Sequence, residues 1–188
     1  MKRILALTLA ASLSSVAYAA PETYVLEQNH TKPRFEYNHM GYSIQLSRFD
    51  TAEGKITIDR AAKTGSVDVT IDAKSVNTGS TQFNEHIQGP DFLDTVMFPT
   101  ITFKSNKVKF DGDKVASVDG NLTIKDITKP VTLTVISFMC MPHPMMKKDA
   151  CGATATAKVK RSDFNMGKYA PLVGDDVTLT IPVESLKQ

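Results

Sequence analysis

Apolar and polar residues alternate one by one along most of this chain. Val67, Val69, Ile71 and Ala73 alternate with Asp68, Thr70, Asp72 and Lys74. Ile101 and Phe103 alternate with Thr102 and Lys104, and Val108 and Phe110 follow, set between Lys107 and Lys109 and beyond. Thr132 and Thr134 separate Val131, Leu133 and Val135, and Val177, Leu179, Ile181 and Val183 repeat the pattern near the end. Successive side chains on a strand point to opposite faces, so each segment predicts a strand with one apolar and one wetted side. Val, Ile, Thr and Phe dominate these runs, and all four suit a pleated, half-buried surface. Lys63-Thr64-Gly65, Asp111-Gly112-Asp113 and Thr128-Lys129-Pro130 supply the turns between them. The pattern predicts an all-β fold, an antiparallel sandwich or barrel joined largely by hairpins.

Two segments break the alternation. Between Ser80 and Gly89, Phe83 and Ile87 stand four apart, Ser80 or Thr81 can cap the start, and Gly89-Pro90 stops the chain. This predicts one short helix over about 80–89 whose apolar edge closes an opening. Ser162 to Gly167 reads as a further single turn. The segment Ala153 to Lys160 carries a different message. Ala153, Ala155, Ala157 and Val159 share one face and leave volume on it. A closed sheet of about eight strands is either filled by its own side chains or holds one small ligand, and periodicity alone leaves both readings open.

The N-terminus changes the compartment. Lys2 and Arg3 precede the apolar run Ile4 to Leu13, and Ala17-Tyr18-Ala19 supplies a small-x-small cleavage pattern. Residues 1–19 therefore read as a secretory signal peptide, too short to span a bilayer, which leaves residues 20–188 as one domain and points to the periplasm, with full secretion as the other destination. The chain has 22 Lys and Arg against 20 Asp and Glu, and removing Lys2 and Arg3 with the leader leaves 20 of each. A neutral chain without a basic stripe argues against nucleic acid as a partner. No later run is apolar for long enough to predict a transmembrane helix, and the sequence leaves homodimerisation open.

Chemistry concentrates in Cys140-Met141-Pro142-His143-Pro144-Met145-Met146-Lys147-Lys148-Asp149-Ala150-Cys151. In an exported protein two cysteines read first as a disulfide, here stapling a hairpin. The alternative is a metal- or stress-responsive module in which Cys140, His143, Met145 or Met146 and Cys151 hold copper or zinc, although the spacing fits no standard zinc pattern. His30, His39 and His86 lie far apart. The bland role for His86 is a hydrogen bond to a neighbouring loop, and His39 is a candidate for a ligand head group. Asp91 and Asp94 are expected to cap turns and make loop hydrogen bonds. The chain has no Gly-x-Ser-x-Gly, no phosphate-binding glycine loop and no recognisable carboxylate pair, so no enzyme and no catalytic residue is predicted.

Several motifs taken together resemble one family. His30-Thr31, Phe35, His39-Met40, Phe49 and Gly54 come first. Ser75-Val76-Asn77-Thr78, His86, Asp91-Phe92-Leu93-Asp94, Phe98-Pro99 and Ile101-Thr102-Phe103 follow. Gly120-Asn121-Leu122-Thr123-Ile124, Thr128-Lys129-Pro130-Val131 and Asp163-Phe164-Asn165-Met166 complete a series whose order and spacing resemble the YceI-like proteins. The resemblance covers nearly all of residues 20–188. It implies a lipocalin-like, extended antiparallel barrel, exported, whose apolar lumen holds a long isoprenoid or similar tail. One departure stands out, because Phe83-Asn84-Glu85 occupies the place where relatives commonly carry an Arg-Asp pair before the helix histidine.

The expected lumen follows from the inward sets. Phe35, Tyr37 and His39 come from the second strand, Val69 and Ile71 from a central one, and Phe83 and Ile87 from the helix. Phe103, Leu122, Ile124, Leu133 and Val135 add the next strands, and Ala155, Ala157 and Leu179 the last ones. No charge is expected on these inward faces. The predicted protein is a non-enzymatic carrier without a cofactor, and its ligand is an isoprenoid quinone, a polyprenyl lipid or a similar amphiphile.

Overall fold

The computed structural model describes residues 20–188, so the predicted leader at 1–19 lies outside the described residues. Strands β1 (Glu22–Leu26), β2 (Arg34–His39), β3 (Ser43–Phe49), β4 (Ala52–Asp59), β5 (Thr64–Asp72) and β6 (Val76–Asn77) precede helix α1 (Thr81–Gln88). Strands β7 (Thr100–Asp111), β8 (Lys114–Ile124), β9 (Ile127–Pro142), β10 (Asp149–Lys160) and β11 (Val173–Lys187) follow it. All pairings are antiparallel, in the order β1-β4-β5-β7-β8-β9-β10-β11-β2-β3-β6, and β11 also pairs with β1. The last contact closes a ring of eight strands.

β11 carries two partners along its length. Ser185 to Lys187 pair with Leu26 to Tyr24 of β1, while Val173 to Thr180 pair with His39 to Arg34 of β2. β1 and β2 therefore act as two halves of one stave, as do β3 with β4 and β5 with β6. The register defines two ends. One carries α1, the β2–β3 turn, the β8–β9 turn and the 161–172 segment. The other carries the β4–β5, β7–β8 and β9–β10 turns together with the start of β1 and the end of β11.

Alternation with bulges explains which side chains turn inward. On β7, Ile101 and Phe103 are buried, the register slips between Lys104 and Lys107, and Val108 becomes the next buried position. On β9 the slip opposite Thr154/Ala155 leaves Ile136 outside, 63% exposed, and turns Phe138 inward after Val135. A bulge inserts one unpaired residue and so changes which parity faces the core. Gly120 fits the same logic on β8, where its missing side chain makes room for the Phe103 ring.

The helix forms over Thr81–Gln88, inside the expected span. The Ser80 hydroxyl accepts the Phe83 N–H at 3.4 Å, so Ser80 rather than Thr81 is the cap, and Gly89 ends the helix. Asn84 ties the helix down, its Oδ1 accepting both the N–H (2.7 Å) and the hydroxyl (2.8 Å) of Thr78. Ile87 is buried below. The expected turn after β10 is a 3-10 turn at Arg161–Phe164, with Asn165 left-handed at its end.

Candidate ligand-binding tunnel

A cavity of about 440 Å³ runs through the barrel. It falls within the range of roughly 300–1,000 Å³ usual for small-molecule sites. Its wall is almost wholly apolar and extends from Cys151 and Val183 at the hairpin end to His86 and Tyr169 at the helix end. Phe35, Tyr37, His39, Val69, Ile71, Phe83, Ile87, Phe103, Leu122, Ile124, Leu133, Val135, Ala155 and Leu179 all lie on this wall. Ala157 does not. It pairs directly with Leu179, which does lie on the wall, and is itself half-buried. The alanine face thus borders the cavity at Ala153 and Ala155.

The tunnel opens at the helix end, where the wall residues Met40, His86 and Tyr169 are also exposed. A chain of rings borders this mouth. Phe83 stacks with His86 (centroids 6.0 Å), His86 meets Phe92 edge-on (5.1 Å), and Phe92 stacks with Tyr169 (6.1 Å). His86 was expected to hydrogen-bond a loop; among the described residues its ring contacts are aromatic instead. Asp91 makes one of the loop contacts expected of it, an ion pair with Lys168 across the mouth. Lys125, buried under the same end, donates to the carbonyls of Pro90 (3.0 Å) and Asn165 (3.4 Å).

Two arginines also lie on the wall, contrary to the expectation of a lining without charge. Arg34, at the start of β2, is exposed. Arg161 is 7% exposed and held by backbone carbonyls: Nε donates to Gly174 (2.9 Å), Nη2 to Val173 (2.7 Å) and Nη1 to Lys168 (2.7 Å) and Met166. Burial pulls the guanidinium's pKa down, and the nearby Asp175 carboxylate opposes this. Burial also pushes the Tyr37 hydroxyl's pKa up, while the charge of Arg161 pulls it back. Neither Arg161 nor the ring residues Phe92, Phe164 and Tyr169 stood among the expected lining. Phe92 and Phe164 sit inside the quoted motifs, which is where a signal existed.

At the other end Cys140 and Cys151 are bonded and face each other directly across β9 and β10, with Cα atoms 4.1 Å apart. No free cysteine remains among the described residues. The metal alternative loses both thiolates. His143 is also engaged, because its Nδ1 accepts the N–H groups of Met145 (3.2 Å) and Met146 (3.1 Å). That places the ring proton on Nε2, the nitrogen a metal would need. Elsewhere Glu27, His30 and Glu184 bring ligand atoms within 4.8 Å of one another. The Glu27 carboxylate there already accepts the N–H groups of Asn29 and His30 (both 3.0 Å) and His30 Nδ1 (2.7 Å), so the trio closes the β1–β2 turn.

Residues 24–185 match the profile of the YceI-like domain. The chain belongs to the YceI-like family. Protein YceI of Escherichia coli O6:H1 is 34% identical over 190 residues, spanning 100% of this chain and 98% of that protein. Among solved structures, Burkholderia cenocepacia BcnA superposes with a TM-score of 0.71 at 25% identity, covering 85% of this chain and 98% of its own. A Campylobacter jejuni YceI protein gives 0.68 at 28% identity, over 80% and 90%. A polyisoprenoid binding domain from Saccharophagus degradans shares the fold, with a TM-score of 0.64 at 16% identity over 88% and 98%. Two of the YceI-like motifs of this chain border the mouth: Asp91 and Phe92 of one meet Lys168 and Tyr169, and Lys125 joins Pro90 to Asn165 of the other.

Proposed function

We propose that this protein is a non-enzymatic periplasmic carrier or reservoir for a long-chain isoprenoid, a quinone or polyprenyl lipid, or for a similar amphiphile. The tail lies in the barrel and the polar head at the helix-end mouth, near His39 and His86. One observation carries the reading, the continuous apolar tunnel of about 440 Å³. Burying each methylene contributes about 0.8 kcal/mol, so a dozen carbons give on the order of 10 kcal/mol. An ordering cost of about 4 kcal/mol still leaves binding of about tens of micromolar for such a tail, and each further buried methylene tightens it. The polyisoprenoid binding domain of the same fold supports this choice of ligand, and the leader-like N-terminus and the disulfide support an oxidising, exported setting.

Mass spectrometry of organic extracts from protein purified without detergent tests the proposal. The expected result is a long-chain lipid near one per protein. Repeated extracts without lipid, together with failure to take up added prenyl chains, would overturn it.

A further inference from the structure

Tyr37 and Arg161 are polar groups set into the same apolar wall. Tyr37 is 8% exposed, and its hydroxyl is the one fully covered side-chain polar atom, among the described residues, that meets no hydrogen-bond partner. Native proteins rarely leave such an atom unpaired without a use for it. Arg161 is a fixed cation. Each hydrogen-bond partner of its guanidinium is a backbone carbonyl, so its charge is solvated by dipoles and not neutralised by a bound carboxylate. The two lie near the same end of the barrel, since Tyr37 pairs with Val177 on β11 and Arg161 grips Val173 and Gly174 of the same strand.

We propose that Tyr37 and Arg161 form an inner polar anchor for a carbonyl-type oxygen on the bound lipid, as carried by a quinone, an amide or an ester. The anchor rests on the carrier reading above and narrows its ligand. The hydroxyl lies on the ring's own axis, so it reaches the ligand by a swing of the whole Tyr37 side chain about χ1, past Phe35, whose ring stacks on it at 6.4 Å. The phenol then donates to the oxygen, and the stationary guanidinium favours the partial negative charge there. A bare hydrocarbon leaves both groups unanswered, which gives the site a preference that an apolar tube lacks.

The test compares a geranylgeranyl-substituted benzoquinone with squalene, which has no oxygen, on the wild type and on Tyr37→Phe. Equilibrium partition with mass-spectrometric quantification gives the two affinities, and their ratio is the readout. The selectivity for the quinone over squalene is expected to fall about tenfold in Tyr37→Phe, the effect of one lost hydrogen bond in a buried site. The variant's unliganded melting temperature is expected to stay level or rise, because an unpaired buried hydroxyl has been removed. An unchanged ratio overturns the anchor, and so does a parallel loss for both probes, which would mark a change of tunnel shape. If the wild type binds neither probe, the carrier reading fails and the anchor goes with it.

Discussion

A β-carbon at Gly120 would stand 2.4 Å from Cζ of Phe103 and 2.8 Å from the carbonyl oxygen of Lys104. Both contacts are well inside van der Waals distance, and one of them is rigid backbone. Gly120→Ala should therefore lower stability by about 1–3 kcal/mol through overpacking, read from urea unfolding; a change below about 0.5 kcal/mol would show that Phe103 moves aside freely. The glycine was visible in the sequence as part of Gly120-Asn121-Leu122, but its ring neighbour was not. Arg161 was still less legible. It follows Lys158, Val159 and Lys160 in a stretch that reads as solvated charge. Its burial depends on an irregularity in β11, where the register jumps from Val173 to Val177 and presents the carbonyls of residues 173 and 174. No local pattern encodes that meeting. The same holds for Tyr37, whose inward direction followed from alternation but whose missing partner is a property of the packed wall.

Strands with unbroken alternation could be read directly, as in β5, β9 from Val131 to Val135 and β11 from Val177 onward, and so could the helix, because Ser80 and Gly89 delimit it. Thr128-Lys129-Pro130, expected as a turn, instead belongs to β9, and the turn falls at Lys125 and Asp126. Bulges were the obstacle. Phe138 lies on the tunnel wall only because β9 slips by one residue, and Ile136, an apolar residue after three inward ones, is thrown outside. Ala157 shows the complementary limit: it shares the parity of Ala153 and Ala155 but is not on the wall. On β10, Ala155 is 7% exposed, lies on the wall and sits between Val135 and Ile181. Ala155→Phe should weaken lipid uptake at least tenfold while the far-ultraviolet circular dichroism stays that of the folded barrel. Undiminished uptake would mean that the lipid does not pass Ala155. The β9–β10 hairpin carries its own expectation. Its disulfide closes a loop with a sequence separation of 11, which should contribute about 3 kcal/mol. Replacing both cysteines by serine should lower stability by that order, and reductant should then have no further effect on the variant.

At the scale of the whole barrel, the seam is where residues from opposite ends of the described chain meet. Lys187 of β11 donates to Glu22 of β1 at 2.6 Å and lies 3.5 Å from Asp149 of β10, while the hydroxyl of the buried Tyr24 donates to Glu22 at 2.8 Å. The Lys187 hydrogen bond, with help from Tyr24 and against the effect of burial, holds the Glu22 carboxyl below its ordinary pKa. A carboxylate with a depressed folded pKa stabilises fully above its unfolded value and loses that contribution as pH falls through the folded one. Both side chains are about one-third exposed, so solvent screening keeps the effect to under about 1 kcal/mol. Glu22→Gln should be less stable than the wild type by that amount at pH 7, and the difference should shrink below about pH 4. A gap that widens on acidification would contradict the assignment. The same closure bears on how the molecule comes into being. Because β1 closes on β11, a chain whose last strand is still being made offers open strand edges and has no means of completing the circle. The ring is complete only once the last strand has docked, and until then its unpaired edges are open to pairing with other chains.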